Sequence, residues 1–268
     1  MNKPLTVLFD YDSMIYKAVT HIVDRDGVRQ WFNDGRSREW MEKEIVNLTI
    51  NRLEQMGNHI FQAIEDTGIE IGGVEYFLTA CKNSIRKAAS PIYKANRKRN
   101  KWVSLIRKEL LSMGFASVHD KWEADDLIKD RAIDLGVDGC VILSIDKDLK
   151  QIPGIHFDYF EPNLKDIDGN QVYNERRWRV KAPYRGLEIV TEQAANTFYW
   201  AQVMAGDSGD NIKGIPMVGL KTAYRLLALS SDYEKTAQEK YFEKFGNKGE
   251  EQFNLHRLLI GLGITHRK

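Results

Sequence analysis

Leu5-Thr6-Val7-Leu8-Phe9-Asp10 is the stretch on which the fold turns. An apolar run of this length bounded by polar residues reads as a buried strand, so Asp10 emerges at its carboxyl end. Val141-Ile142-Leu143-Ser144-Ile145 repeats the pattern and delivers Asp146, with Asp148 one residue beyond Lys147. In open α/β sheets that edge is where ligands bind. Two further clusters, Glu123 with Asp125 and Asp126, and Asp207 with Asp210, complete a set of eight carboxylates. Crowded carboxylates raise one another's pKa unless cations neutralise them. Oxygen-only ligands select hard cations, and a set this acidic suits a pair of Mg²⁺ or Mn²⁺ ions. Solvated surface acids, ordinary in a chain that is 29% charged, would not keep recurring just past strands.

The chain has 268 residues, enough for one large domain or a main domain with an appendage. A hydrophobic fraction of 43% fits a soluble globular protein. No apolar stretch approaches a membrane span, and the start at Met1-Asn2-Lys3-Pro4 is not a signal peptide, so a cytoplasmic protein is expected. Cys81 and Cys140 supply neither a disulfide framework nor zinc spacing. The net charge of +1 is uninformative, but its distribution is not. Arg86, Lys87, Lys94, Arg97, Lys98, Arg99, Lys101, Arg107 and Lys108 run without an acid, with Tyr93 and Trp102 interleaved. A basic segment opposed to an acidic metal pocket is the layout expected for a polyanionic substrate.

Periodicity predicts a strand at 5–10, a helix from Ser13, a polar hairpin or loop over 23–36, and a long helix over 39–66 disturbed at Gly57. A second strand is expected at 74–78, then helices at 101–113 and 122–135, a strand at 141–145, a helical turn at 149–152 and a strand at 156–160. Asp168-Gly169-Asn170 reads as a hairpin turn, followed by a short basic patch from Arg176 to Lys181. Helices follow at 191–204, capped by Thr191, from Leu220, at 233–245 and at 253–262. Strands alternating with helices and then helices alone imply an α/β core carrying a helical C-terminal part.

Glu123, Asp125 and Asp126 fall within one helical turn, with Glu123 and Asp126 sharing a face. The stretch from Ala205 through Asp207-Ser208-Gly209-Asp210 to Gly219-Leu220-Lys221-Thr222-Ala223 is the most specific in the chain. Small residues such as Gly214 and Gly219 let backbone N–H groups approach a phosphate, and the following helix offers its N-terminal end beside Lys221 and Thr222. That is the chemistry for gripping a nucleic-acid backbone without reading bases.

With Leu8-Phe9-Asp10, Tyr93-Lys94-Ala95-Asn96-Arg97-Lys98, Glu123-Ala124-Asp125-Asp126, Ser144-Ile145-Asp146-Lys147-Asp148 and Gly206 through Ala223 in this order, the chain resembles the 5′ nucleases of the flap endonuclease family. It looks closest to the stand-alone bacteriophage 5′→3′ exonucleases. The resemblance implies a PIN-like, mostly parallel central sheet flanked by helices, a helical arch at about 82–108, and a helix–three-turn–helix element at about 203–228. The catalytic core would span 1–186 and the helical region 187–268. It implies hydrolysis of phosphodiesters near 5′ ends of DNA, in phage DNA replication or degradation inside a bacterial host cell.

By position, Asp10, Glu123, Asp125, Asp126, Asp146, Asp148, Asp207 and Asp210 match the family's ligands to two Mg²⁺ or Mn²⁺ ions. Lys94 and Arg97 match residues that contact the scissile phosphate. K⁺ is expected in the helix–three-turn–helix loop. Arg86, Lys87, Tyr93, Lys98, Arg99, Gly214, Gly219, Lys221 and Thr222 are the expected nucleic-acid contacts; Tyr93 and Tyr16 could stack on an unpaired base, though both read first as packing residues. The expected partners are DNA with a free 5′ end (duplex, flap or RNA-primed) and a separate polymerase or single-strand binding protein, with the chain itself a monomer.

One departure matters: where the family often has an aspartate after the second strand, this chain has Thr79-Ala80-Cys81. Asp12, read first as a helix N-cap, is the nearest substitute. A catalytically impaired nucleic-acid binder therefore stands as an alternative, beside a PIN-type ribonuclease and a small-molecule phosphatase using Asp10 and Asp12.

Overall fold

The computed structural model describes residues 3–25, 34–80, 84–97, 100–159 and 186–263. A six-stranded sheet forms the centre, in the order β3-β2-β1-β4-β5-β6. These strands are β1 (Leu5–Asp10), β2 (Ile71–Phe77), β3 (Ala116–Ser117), β4 (Cys140–Leu143), β5 (Gly154–Phe157) and β6 (Leu187–Val190). The first five run parallel and β6 is antiparallel to β5. Val7, Leu8, Phe9 and Asp10 are all buried, as are all four residues of β4. Helices cover both faces of such a sheet, so its central strands are apolar throughout rather than alternating.

One face packs against α1 (Tyr11–Arg25), α2 (Arg38–Glu65) and α4 (Lys101–Ser112), through Met14, Ile45, Ile60 and Ile106. Between β2 and α4 lies the short α3 (Ile85–Ala89). The other face carries α5 (Ala124–Leu135), with Ile128 and Leu149 against Leu8 and Ile142. A separate core joins α6 (Glu192–Ala205), α7 (Leu220–Leu227), α8 (Tyr233–Phe245) and α9 (Gly249–Ile260) around Trp200, Tyr241 and Phe253. Among the described residues no helix is long and apolar enough to cross a membrane.

Several expectations shift. Residues 23–25 continue α1, and 26–33 lie outside the described residues, as do the turn at 168–170 and the basic patch at 176–181. Gly57 does not interrupt α2, because it is buried and a Cβ there would meet only Phe61 at ordinary contact distance. The expected boundary at 186 falls too early, since β6 hydrogen-bonds along β5 and belongs to the sheet. Two-residue β3 and four-residue β6 were missed because neither is long enough to display a period. The last helix begins at Gly249 rather than Phe253, and a Cβ at position 249 would strike Phe242 of α8.

The connection between β1 and β2 turns to one side of β1, whereas β4 lies on the other. The carboxyl ends of β1 and β4 therefore flank the point where the strand order reverses, the usual position of a ligand crevice. The turn that closes α6 faces this edge. There Gly206 and Gly214 cross at φ of +72° and +63°, each so close that a Cβ on one would enter the backbone of the other. Gly214→Ala should lower the melting temperature by roughly 6–12 °C, as about 3 kcal/mol would in a domain of this size. Gly35→Ala, also at positive φ but in open space, should cost only about 1–2 kcal/mol. Equal losses in a thermal scan would refute the close-approach explanation.

Candidate active site

Asp10 ends β1 and is 3% exposed. Ser13 and Ser144 both donate to its Oδ2, at 2.7 and 2.6 Å. Ser144 Oγ in turn accepts the Asp146 N–H at 2.9 Å, so one hydroxyl ties the ends of β1 and β4 together. This is also why the strand stops at Leu143, two residues before the expected end. The Ser13 hydroxyl lies 3.1 Å from the buried phenol of Tyr159. Burial first, and then Asp12 nearby, push the Asp10 carboxyl up to about 6, while the serine hydrogen bonds pull the other way.

Asp125 and Asp146 share this crevice. Burial raises the Asp125 carboxyl well above its ordinary value, with Asp146 and Asp10 as the next causes. Asp146 is raised by burial and then by Asp148. Asp10, Asp125 and Asp146 are thus close enough to oppose one another's ionisation. Among the described residues none of the three has an ion pair with a lysine or arginine.

The remaining carboxylates are held by cations of the chain itself. Lys94 Nζ donates to Glu123 at 2.5 Å and lies 3.7 Å from Asp210. Arg97 pairs with Asp210, and Lys147 bridges Asp148, at 2.9 Å, to Asp207. Burial opposes ionisation of Glu123, yet Lys94 and Arg86 outweigh it and hold the carboxyl down to about 2. Lys94 is raised, because Glu123, Tyr93 and Asp210 overcome the burial that would lower it. Gln202 adds a 2.6 Å bond to Asp148.

The basic segment reaches this site through its backbone. Lys94 adopts φ of +54°, uncommon for a residue with a side chain, and its N–H donates to Asp210 O at 2.9 Å. Asn96 donates to Ser208 O and Asn211 to Ile92 O, which seats residues 92–97 on the 207–211 turn. That turn closes by a reciprocal pair of 2.8 Å bonds between Asp207 and Ile212. Asp207 Oδ1 accepts the Gly209 N–H at 2.7 Å.

Several expected site residues are elsewhere. Asp126, expected among the cation ligands, is fully buried and bonds both oxygens to Arg86, at 2.6 and 2.7 Å. It also accepts the Glu123 and Gly263 N–H groups. Arg86, expected on nucleic acid, is 5% exposed and further donates to the carbonyls of Leu259 and Gly261. The pair staples α3, α5 and the end of α9. Glu123 is the N-cap of α5 rather than a residue within it, so it shares no helix face with Asp126.

Tyr93, named among the nucleic-acid contacts but read first as a packing residue, packs in the helical core at 3% exposure with its hydroxyl on Glu123. Tyr16, also read first as a packing residue, is exposed. Gly214 is buried in the glycine crossing, whereas Gly219 and Lys221 are exposed and Thr222 is half-buried. Lys87 is half-buried, and Lys98 and Arg99 lie outside the described residues. Asp12 is not an N-cap: it lies in the first turn of α1, accepts the Thr79 N–H at 2.8 Å and pairs with Arg107 at 2.7 Å. Thr79, where an aspartate was expected nearby, accepts the Ala124 N–H and helps seat α5.

Ser13, Ser144, Lys147 and Gln202 were not foreseen, and Arg107, read as part of the basic segment, pairs with Asp12 instead. For Lys147 the signal was its place between two candidate ligands.

Among the described residues no three acidic, histidine or cysteine side chains are grouped to hold one ion. The eight expected ligands do not form a single acidic cage, because lysine and arginine already occupy five of them. The donor set at the centre nevertheless suits a hard divalent cation: three part-buried or buried carboxylates whose mutual repulsion a cation would offset. Asp10→Asn should therefore stabilise the protein in EDTA by several °C, by removing one buried like charge. The same variant should lose most of the melting-temperature rise that Mn²⁺ gives the parent. A destabilised Asp10→Asn protein in EDTA would contradict the repulsion.

No family model matches the chain. Residues of the chain are 31% identical over 157 positions to DNA polymerase I of Treponema pallidum (strain Nichols), covering 54% of this chain and 14% of that protein. They are 31% identical over 153 positions to flap endonuclease Xni of Shewanella piezotolerans (strain WP3 / JCM 13877), covering 54% of each. The matched region thus spans about half of the one curated relative and a small part of the other.

Two solved structures share the fold. The T5 D15 protein co-crystallised with metal ions has a TM-score of 0.53 at 15% identity, covering 96% of this chain and 89% of that one. T5 5′-exonuclease with bound divalent metal ions (zinc) has a TM-score of 0.52 at 14% identity, covering 96% and 86%. The chain is thus similar in sequence to part of DNA polymerase I and part of flap endonuclease Xni, and it shares its fold with the T5 5′-exonuclease.

Proposed function

We propose that the chain is a divalent-metal-dependent 5′→3′ exonuclease and structure-specific flap endonuclease, hydrolysing phosphodiesters near 5′ ends of DNA. One observation carries the reading: Asp10, Asp125 and Asp146 meet at the reversal point of a parallel sheet, with Lys94 and Arg97 beside them. Asp10, Asp125 and Asp146 would hold a Mg²⁺ or Mn²⁺ ion, and Glu123, Asp148, Asp207 and Asp210 would serve a second once their lysines and arginine turn to substrate. Such ions, when bound, supply Lewis acidity and a more acidic water for attack on phosphorus.

The chain's own residues do the rest. Ser13 and Ser144 orient the Asp10 carboxylate by bonding one of its two oxygens. The Lys94 ammonium and Arg97 guanidinium give the scissile phosphate two positive donors, exchanging Glu123 and Asp210 for phosphate oxygens. The 206–219 turn and the start of α7 present small residues, backbone N–H groups and Lys221 to a DNA backbone. This turn is also where K⁺ would bind. On this reading the catalytic core would span residues 1–190, β6 included, and the helical region 191–268, with α6 to α7 as its helix–three-turn–helix element. Similarity to DNA polymerase I supports work alongside a separate polymerase.

A catalytically impaired DNA binder is the second reading, favoured by Thr79 and Ala80 after β2. Cleavage of a 5′-labelled flap duplex with Mg²⁺ or Mn²⁺ decides between them. Full binding with no hydrolysis in either metal would establish the impaired binder. If the nuclease reading holds, Asp146→Asn with Asp148→Asn should reduce cleavage at least about a thousandfold, the scale on which loss of charge stabilisation acts. Lys94→Ala should slow single-turnover cleavage far more than it weakens binding. Equal losses would make Lys94 a backbone anchor only.

A further inference from the structure

Met217 is 95% exposed and holds φ of +68°. Either property alone is unremarkable in a loop. Together they describe a large apolar side chain kept in water by a backbone conformation that costs an L-residue roughly 1–3 kcal/mol. Pro216 precedes it and Gly219 caps α7 two residues later without a side-chain cap bond. Val218 N–H donates to Ile215 O at 3.0 Å, so the turn is fixed and Met217 stands at its apex. Nothing in the packing of this turn needs a methionine, since the side chain touches none of the cores.

The surroundings say what would cover it. From Asn211 to Ser231 the chain has no acid, while Lys213, Lys221 and Arg225 are basic. Lys213 and Lys221, both exposed, flank the apex in sequence on either side. A helix N-terminus with no side-chain cap on its first turn adds positive potential. An apolar tip framed by positive charge matches a nucleic-acid backbone: phosphates answer the lysines, and deoxyribose faces between them offer the apolar surface.

We infer that Met217 is a DNA-contact residue that packs its side chain on the sugar faces of the duplex held by the 206–219 turn, and that the strained apex is kept for this contact. The inference rests on the nuclease reading above and deepens it. Apolar contact with deoxyribose would add to the phosphate contacts by removing apolar surface from water, without reading sequence. Such a contact differs from a phosphate contact in one measurable respect: it releases no counterions, so salt leaves its contribution unchanged.

The test compares Met217→Ala, Met217→Gly and Lys221→Ala. Affinity for a labelled 5′-flap duplex is read by fluorescence anisotropy in EDTA, at low and at high KCl, beside thermal scans. Both Met217 variants should weaken binding about fivefold, the factor carried by burying roughly half of a methionine side chain. That factor should be the same at both salt concentrations, whereas the loss in Lys221→Ala should shrink at high salt. Met217→Gly alone should melt about 2 °C higher, because glycine relieves the positive φ.

Unchanged affinity in both Met217 variants, or a loss that fades with salt, would overturn the inference while intact Mn²⁺-dependent cleavage left the nuclease reading standing. A wild-type dimer that Met217→Ala dissolves, at unchanged duplex affinity, would reassign the residue to self-association. A wild-type chain that neither binds nor cleaves the duplex would overturn both.

Discussion

Like charge in a confined space governs this molecule. Asp10, Asp125 and Asp146 come from β1, α5 and the segment after β4, and each makes the others harder to ionise. A fold that placed them there with no compensation would spread the crevice open. The compensation is local and specific. A hydroxyl chain from the Asp146 N–H through Ser144 to Asp10 holds two strand ends together. Lys94, Arg97 and Lys147 then neutralise the outer ring of acids, and each acid pair they hold comes from different parts of the chain. The bridges therefore do two things at once: they cancel charge and they lock the 207–211 turn onto the sheet.

That arrangement also explains why the basic segment is not uniform. Its first part is structural. Arg86 makes four hydrogen bonds, two to Asp126 and two to carbonyls, and a buried pair of this kind is far costlier to break than to replace whole. Tyr93 belongs to the helical core. From Lys94 the cations pair with the outer acids of the crevice, and Lys94 does so at a left-handed backbone conformation. A charge run in a sequence is thus divided by the fold into a staple and a set of potential phosphate donors.

Much of the architecture was legible. The two apolar runs ending at Asp10 and Asp146 are long enough to declare strands, and both lie at the centre of the sheet, where burial on each face demands such runs. The long helices declared themselves by period, and Thr191 by its capping chemistry, which the structure shows as a 3.1 Å bond to the Ala194 N–H. Less was legible at the site. Asp126 and Arg86 have the composition of a ligand and a phosphate contact, yet they find each other across forty residues of chain. Their pairing is a desolvation effect, and desolvation depends on neighbours that no local window contains. Ser144 and Lys147 stood in plain view between the acids, but their roles depend on distances to Asp10 and Asp207.

The sequence by itself determined the long strands and the long helices, and that acids would collect at the carboxyl edge of the sheet. These follow from apolar runs, period and turn chemistry, all short-range properties of the chain. The tertiary structure alone decided which charges face the crevice and which are buried as staples. It also decided that the last strand joins antiparallel, and that Met217 stands exposed at a strained apex. Those outcomes depend on the energy of taking a charge or an apolar surface out of water, and that energy is set by what the folded chain places around it.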